Sequence, residues 1–168
     1  PSIAALVESS LEYGDTDFIV YKNERLSYAE HYRRVAAVAC QLVDRFNIRK
    51  GDRVAIAMRN YPEWSIAFWA AAAAGAVVVP LNAWWVSDEL EYGLKDSGAS
   101  LVFADAERLE RLQNITSDLP VQHYVAVRCE SLPDGVTAID SLWQDATEAA
   151  KLPAVTLLPE DNATLFYT

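Results

Sequence analysis

With 168 residues, 52% of them apolar, the chain is long enough to bury one sizeable core and too short for two large domains. Its 14 basic residues against 24 acidic ones give a formal net charge of −10, which argues against a nucleic-acid groove and against an anionic lipid surface, since both need clustered Lys and Arg. Cys40 and Cys129 lack Cys-x-x-Cys spacing and adjoining metal-ligand residues, so they read as small buried hydrophobes; neither a disulfide nor a metal site is expected, and so sparse a cysteine content fits a cytoplasmic compartment. Pro1 is compatible with a removed initiator Met, and Ser2 to Leu11 carry no basic-then-apolar export signal.

In chain order, Ile3 to Tyr13 predicts a short helix with Ile3, Leu6, Val7 and Leu11 on one side, ended by Gly14. Phe18–Tyr21 and Arg25–Leu26, separated by Lys22-Asn23-Glu24, predict a hairpin. Ser27-Tyr28-Ala29-Glu30 has the form of a capping box, in which hydroxyl and carboxylate each satisfy a free backbone N–H. The helix it starts carries Tyr28, Tyr32, Val35, Ala39, Leu42 and Phe46 as one apolar stripe.

From Gly51 the pattern alternates: strand Arg53–Met58, helix Pro62–Ala74, strand Ala76–Pro80, helix Asp88–Ser97, strand Leu101–Ala104, helix Asp105–Gln113 and strand Tyr124–Val127. Pro62 suits a first helical position, Gly75 a C-terminal cap, and Ser87-Asp88-Glu89 a helix start. Strand cores this apolar predict a parallel sheet covered on both faces, hence an α/β fold with a doubly wound, mostly parallel sheet and flanking helices. Ile66 to Leu81 is apolar throughout, yet a membrane span needs about 20 residues and this run is broken by Gly75 and Pro80. The tail holds turns at Pro120, Pro133-Asp134-Gly135, Pro153 and Pro159, a short helix near Ile139–Ala149, and a strand over Ala163–Tyr167 that runs into Thr168. The expected organisation is therefore helix, hairpin and long helix over 1–47, a βα repeat over 51–127, and an irregular tail over 128–168.

Three segments in order resemble the adenylate-forming, AMP-binding superfamily of acyl-CoA synthetases, peptide-synthetase adenylation domains and beetle luciferases. Leu26-Ser27-Tyr28-Ala29-Glu30 resembles its Leu-(Thr/Ser)-Tyr-x-Glu helix start. Ala73-Ala74-Gly75-Ala76-Val77-Val78-Val79-Pro80-Leu81-Asn82, preceded by Gly51-Asp52-Arg53-Val54-Ala55-Ile56 and Asn60-Tyr61-Pro62-Glu63, is similar to its Gly-Ala-x-x-x-Pro-(Leu/Ile)-(Asp/Asn) turn. Asp161 to Thr168 resembles the strand leading into its Tyr-Thr-Ser-Gly-Thr-Thr-Gly-x-Pro-Lys phosphate loop, of which Tyr167 and Thr168 are present. Asn82-Ala83-Trp84-Trp85 followed by Glu89-Leu90-Glu91-Tyr92 looks more like fatty-acid or aromatic-acid CoA ligases than peptide-synthetase domains.

The resemblance implies the N-terminal part of an acyl-CoA synthetase, an enzyme that joins a carboxylic acid to coenzyme A with ATP and Mg²⁺. Thr168 would supply the first hydroxyl of the ATP phosphate loop; its bland reading is a β-branched residue finishing a strand. Trp84 and Trp85 could line a channel for an acyl chain or for pantetheine; alternatively one packs under the following helix while the other covers sheet edge. His31 reads as a helix-surface residue, His123 as a strand residue without catalytic partners, and Glu89 and Glu91 as first-turn acids of a helix. No catalytic residue is expected within the chain, and the chain alone is expected to be inactive. A non-catalytic binding or oligomerisation module derived from the family is the second reading, an amino-acid-adenylating or luciferase-like relative a third, and a homodimer is left open as an assembly.

Overall fold

A computed structural model describes residues 2–147 and 149–168; the expectations resting on Pro1 and Glu148 lie outside these. Helix α1 (Ile3–Ser9) starts at Ser2, whose hydroxyl accepts from the Ala5 N–H, and tightens into a 3₁₀ turn over Ser10–Tyr13 before Gly14. Strands β1 (Asp17–Tyr21) and β2 (Glu24–Ser27) form a separate antiparallel hairpin. In α2 (Tyr28–Asp44) the expected capping box is only half made. The Ser27 hydroxyl accepts from the Glu30 N–H, but Ser27 still belongs to β2, and the Glu30 carboxylate turns instead to Arg33 and Arg34.

The main sheet has the order β4-β3-β5-β6-β7 with every pair parallel, from β3 (Arg53–Ala57), β4 (Val77–Pro80), β5 (Leu101–Asp105), β6 (His123–Val127) and β7 (Val136–Ala138). Helices α3 (Pro62–Ala73), α4 (Ser87–Ser97) and α5 (Ala106–Gln113) make the crossovers. The chain goes from β3 outward to β4, then back past β3 to β5, so the direction of winding reverses between β3 and β5. In open α/β sheets such a reversal leaves a crevice at the carboxyl ends of the strands.

Alternation along the strands divides the core between two faces. Val54, Ile56, Val78, Leu101, Phe103, Val125 and Val127 meet α2, α3 and Val7 of α1. Ala55, Ala57, Val79, Val102, Ala104 and Ala126 meet Leu90 and Leu94 of α4 and Leu109 and Leu112 of α5. The first face is bulky and the second alanine-rich. Each fully buried Phe, Ile, Leu or Val contributes about 1.5–3 kcal/mol. Helix α3 is apolar all round because it lies between the sheet and α1 and α2, which accounts for the unbroken Ala70–Ala73 run.

The tail departs most from expectation. Val136–Ala138 adds a short fifth strand, whereas the expected helix from Ile139 is a single 3₁₀ turn over Ile139–Leu142. Ala138 at its start has no side-chain acceptor to offer, and Trp143 at its end packs beneath the Arg34 guanidinium of α2. Farther on, Val155 and Leu157 cross Gly75, whose φ of 80° and missing Cβ admit them: a Cβ there would lie 3.0 Å from Val155 Cγ1. The expected strand over Ala163–Tyr167 reduces to one parallel bridge, Thr164 with Val78. The Val78 N–H donates to Ala163 O and the Leu165 N–H to Val78 O, both at 2.9 Å. The next donor along β4 would be residue 80, which is proline and has none, so the ladder stops.

Candidate active site

A cleft of about 700 Å³ opens at the carboxyl ends of β3 and β4, beside the winding reversal. Its floor is Met58 and Pro80; Arg59, Tyr61 and Trp84 rise around it, and Tyr21 of the hairpin closes one side. Pro62 and Gly75 set the ends of α3, so the segment Arg59-Asn60-Tyr61 is short and must turn directly above the sheet.

Asp105, 3% exposed, stitches this end of the molecule together. It closes β5 and caps α5: Oδ1 accepts from the Arg108 N–H at 3.1 Å, Oδ2 accepts from the Arg59 N–H at 2.9 Å, and Arg108 Nη1 donates to both oxygens at 3.1 Å. Arg108 in turn donates from Nε to Ala83 O at 2.7 Å, and Arg111 Nη1 donates to Trp85 O at 2.6 Å. The loop after β4 is therefore held by its carbonyls from α5, and Asn82 Oδ1 accepts from the Trp84 N–H at 2.9 Å to tighten its turn.

The two tryptophans face apart. Trp84, 69% exposed, stands in the cleft with the Arg59 guanidinium 4.2 Å from its ring centroid. Among the described residues Arg59 enters no ion pair, which leaves a free cation in a strongly acidic chain. Trp85 turns under α4 onto Gly93, where a Cβ would lie 2.8 Å from the indole ring, and it is not among the cleft-lining residues. Tyr167 packs edge-on against Trp85 at 5.9 Å and donates its hydroxyl to Asp96 Oδ2 at 2.8 Å; burial and the Asp96 carboxylate push its phenol up to about 12. The Thr164–Val78 bridge is parallel, so the chain runs on from it in the direction of β4; Thr168 at its end is exposed and is not among the cleft-lining residues.

Elsewhere, His31 is not the surface residue expected: it is 2% exposed, with Nε2 3.0 Å from Ser65 Oγ and Phe18 of the hairpin edge-on at 4.7 Å. Burial foremost, and then the neighbouring Arg34 charge, lower its pKa to about 4. His123 packs against the Phe46 ring at 5.1 Å. Glu89 accepts from the Val86 N–H at 2.9 Å, and Glu91 pairs with Lys95 and accepts from the Ser117 hydroxyl, both at 2.7 Å. Cys40 and Cys129 are free thiols, each pushed up by burial. Sequence reasoning passed over Arg59, Asp105 and Tyr21. Arg59 and Asp105 stand at the carboxyl ends of the two strands between which winding reverses, so strand order would have singled them out. Tyr21 reaches the cleft only through tertiary packing of the hairpin.

A family model described as AMP-binding enzyme matches residues 6–168, and the chain belongs to that family. Similar curated proteins include a long-chain-fatty-acid–CoA ligase of Escherichia coli O6:H1, 30% identical over 128 residues that are 76% of this chain and 23% of that protein. A crotonobetaine/carnitine–CoA ligase of Salmonella agona is 30% identical over 93% of this chain and 31% of its own length, and an L-proline–[L-prolyl-carrier protein] ligase of Streptomyces coelicolor 35% identical over 87% and 28%. The chain thus spans less than a third of these relatives. Among solved structures, the N-terminal domain of FACL13 from Mycobacterium tuberculosis superposes with a TM-score of 0.84 at 27% identity, covering 100% of this chain and 42% of that one. The anthranilate CoA ligase AuaEII superposes at 0.89 with 20% identity over 100% and 32%, a likeness of fold.

Proposed function

We propose that this chain is the N-terminal part of an ATP-dependent acyl-CoA synthetase: carboxylic acid, ATP and coenzyme A are converted to acyl-CoA, AMP and pyrophosphate. The observation that carries the reading is the parallel bridge of Thr164 to Val78, which supports delivery of the Thr168 hydroxyl to the end of the sheet where the cleft opens. An exposed hydroxyl there fits a first contact to ATP phosphates, whose crowded negative charge calls for N–H, O–H and cationic partners. Carboxylate attack on the α-phosphate expels pyrophosphate and makes an acyl-adenylate, and attack of the coenzyme A thiol on its acyl carbon then forms the thioester and expels AMP. The part this chain plays is to orient: Asp105 holds the Arg59 turn, α5 holds the Trp84 loop, and Arg59 offers a cation with an aromatic face to an anionic substrate or to the acyl or pantetheine chain. Among the described residues no group of three or more His, Cys, Asp or Glu side chains could hold a metal ion, so Mg²⁺ is assigned no ligand on this chain.

Fatty and aromatic acids are the proposed substrates, on the relatives' names and the Asn82-Ala83-Trp84-Trp85 segment. The prolyl-carrier-protein ligase at 35% identity favours amino-acid adenylation as a second reading. Pyrophosphate exchange into ATP by the full-length protein, screened with fatty, aromatic and amino acids and followed by thioester formation with coenzyme A, tests both. We expect exchange and thioester with a fatty or aromatic acid and no exchange by residues 1–168 alone. Exchange with amino acids only would transfer the assignment to the second reading, and exchange by the short chain would refute the division of labour proposed here.

A further inference from the structure

The hairpin is not part of the main sheet, yet Tyr21 at its tip is one wall of the cleft, so something must hold that tip in place. The residue that does so lies at the end of β6. Arg128 donates from Nη1 and Nη2 to the two carboxylate oxygens of Glu24 in the hairpin at 2.9 and 2.7 Å, and from Nε to both oxygens of Glu63 in the first turn of α3 at 3.1 and 3.0 Å. Its guanidinium also lies over Tyr21 and Tyr61, with its carbon 5.4 and 5.0 Å from their centroids, and those two rings meet edge-to-face at 5.9 Å. Both tyrosines line the cleft. One cation therefore joins three elements remote in sequence: hairpin, α3 and β6. The backbone of Arg128 has φ of 54°, a left-handed conformation disfavoured for a residue with a Cβ, and it is this turn out of the strand that brings the side chain to the two carboxylates.

We propose that Arg128 is a positioning residue, a clamp that fixes the hairpin tip so that Tyr21 and Tyr61 stand together as a wall of the substrate cleft. Planarity matters as much as charge. The fork of donors engages Glu24 with two parallel bonds while leaving Nε for Glu63, and lysine cannot reproduce that division. Glu63 is buried at the start of α3 and so gives the fixed end; Glu24 is exposed on the hairpin and gives the movable end. The assignment of a substrate to the cleft rests on the function proposed above, whereas the clamp itself does not.

The test uses the full-length protein with Arg128→Gln, Arg128→Lys and Glu24→Gln, the last on an exposed residue whose change leaves the core intact. Amide exchange over residues 17–27 should rise roughly tenfold in each variant, as expected when a charge-assisted pair that suppresses local opening is lost, while exchange over β3 and β5 stays unchanged. In steady-state kinetics with the acid on which the parent enzyme is most active in the screen above, ATP and coenzyme A, KM for that acid or for coenzyme A should rise about fivefold or more with kcat changed by less than about twofold, the pattern of lost positioning rather than lost chemistry. Unchanged hairpin exchange would overturn the clamp. Faster hairpin exchange with both KM values unchanged would overturn its role in shaping the cleft. Failure of the acyl-CoA synthetase reading is seen separately, as absence of activity with any acid in the parent enzyme.

Discussion

His31 turns burial into pH dependence. Its folded-state pKa of about 4 lies below the ordinary histidine value of 6.5, so between those limits the unfolded chain binds a proton that the folded chain refuses. The stability contribution is whole above pH 6.5 and falls away on acidification toward 4, by about 3 kcal/mol in total. Urea unfolding at pH 7.5 and 4.5 should show that loss in the parent chain and its absence in His31→Gln; equal acid losses in the two would dismiss the histidine as the cause. Asp105 is the other residue on which much depends, since its carboxylate pairs with a buried Arg108 and fixes the Arg59 turn. Asp105→Asn keeps the shape but removes the buried half of the Arg108 pairing, leaving the guanidinium to the exposed Glu107 carboxylate at 3.0 Å and to Ala83 O, and should cost about 3 kcal/mol in urea unfolding at pH 7. A loss below about 1 kcal/mol would show that the existing Glu107 pair suffices for the guanidinium.

Helix α4 tests how closely loop and helix fit. An alanine at position 93 would improve intrinsic helix propensity by about 1 kcal/mol, yet its Cβ would meet Trp85 at 2.8 Å and Leu81 at 3.0 Å, and overpacking costs about 1–3 kcal/mol. Gly93→Ala should therefore lower the melting temperature and alter the near-ultraviolet dichroism of tryptophan; a raised melting temperature would mean the indole moves aside freely. The elements that were legible from sequence were those whose own periodicity states what they are. Val54 to Ala57 is flanked by Gly51-Asp52 and Pro62, and Leu101 to Ala104 lies between the predicted helix over Asp88–Ser97 and the helix start at Asp105, so the alternation of strand and helix could be read directly. Two things could not be read. The brevity of the pairing at Thr164 depends on Pro80 lying two residues beyond its partner in another strand, and the burial of His31 depends on a hairpin folding back over α2. Arg59, Asp105 and Arg128 belong to the same class: each is an ordinary loop or cap residue until the fold brings Arg59 into the cleft and sets Asp105 and Arg128 against residues that line it.

For the molecule as a whole, the tail acts as a cover on the β4 edge. Lys50 holds it, donating to Thr156 O at 3.0 Å and pairing with Asp161 at 2.6 Å, and Ala163 and Leu165 occupy the edge groups of Val78. A chain ending at Pro159 should self-associate more strongly than residues 1–168 in sedimentation velocity, because an uncovered parallel edge is a template for another strand; identical sedimentation would show that the edge is protected by other means. The opposite edge, β7, has only three residues and offers little to pair with. Finally, the two sides of the sheet should tolerate error in opposite senses. Beneath α2 and α3, where Phe103, Ile56 and Leu101 fill the space, harm comes from deletion and the void it leaves. Beneath α4 and α5, where Ala55, Ala57, Ala104 and Ala126 leave room only for helices pressed close, harm comes from a single added methyl group, which would lever a helix outward and with it the loop that carries Trp84.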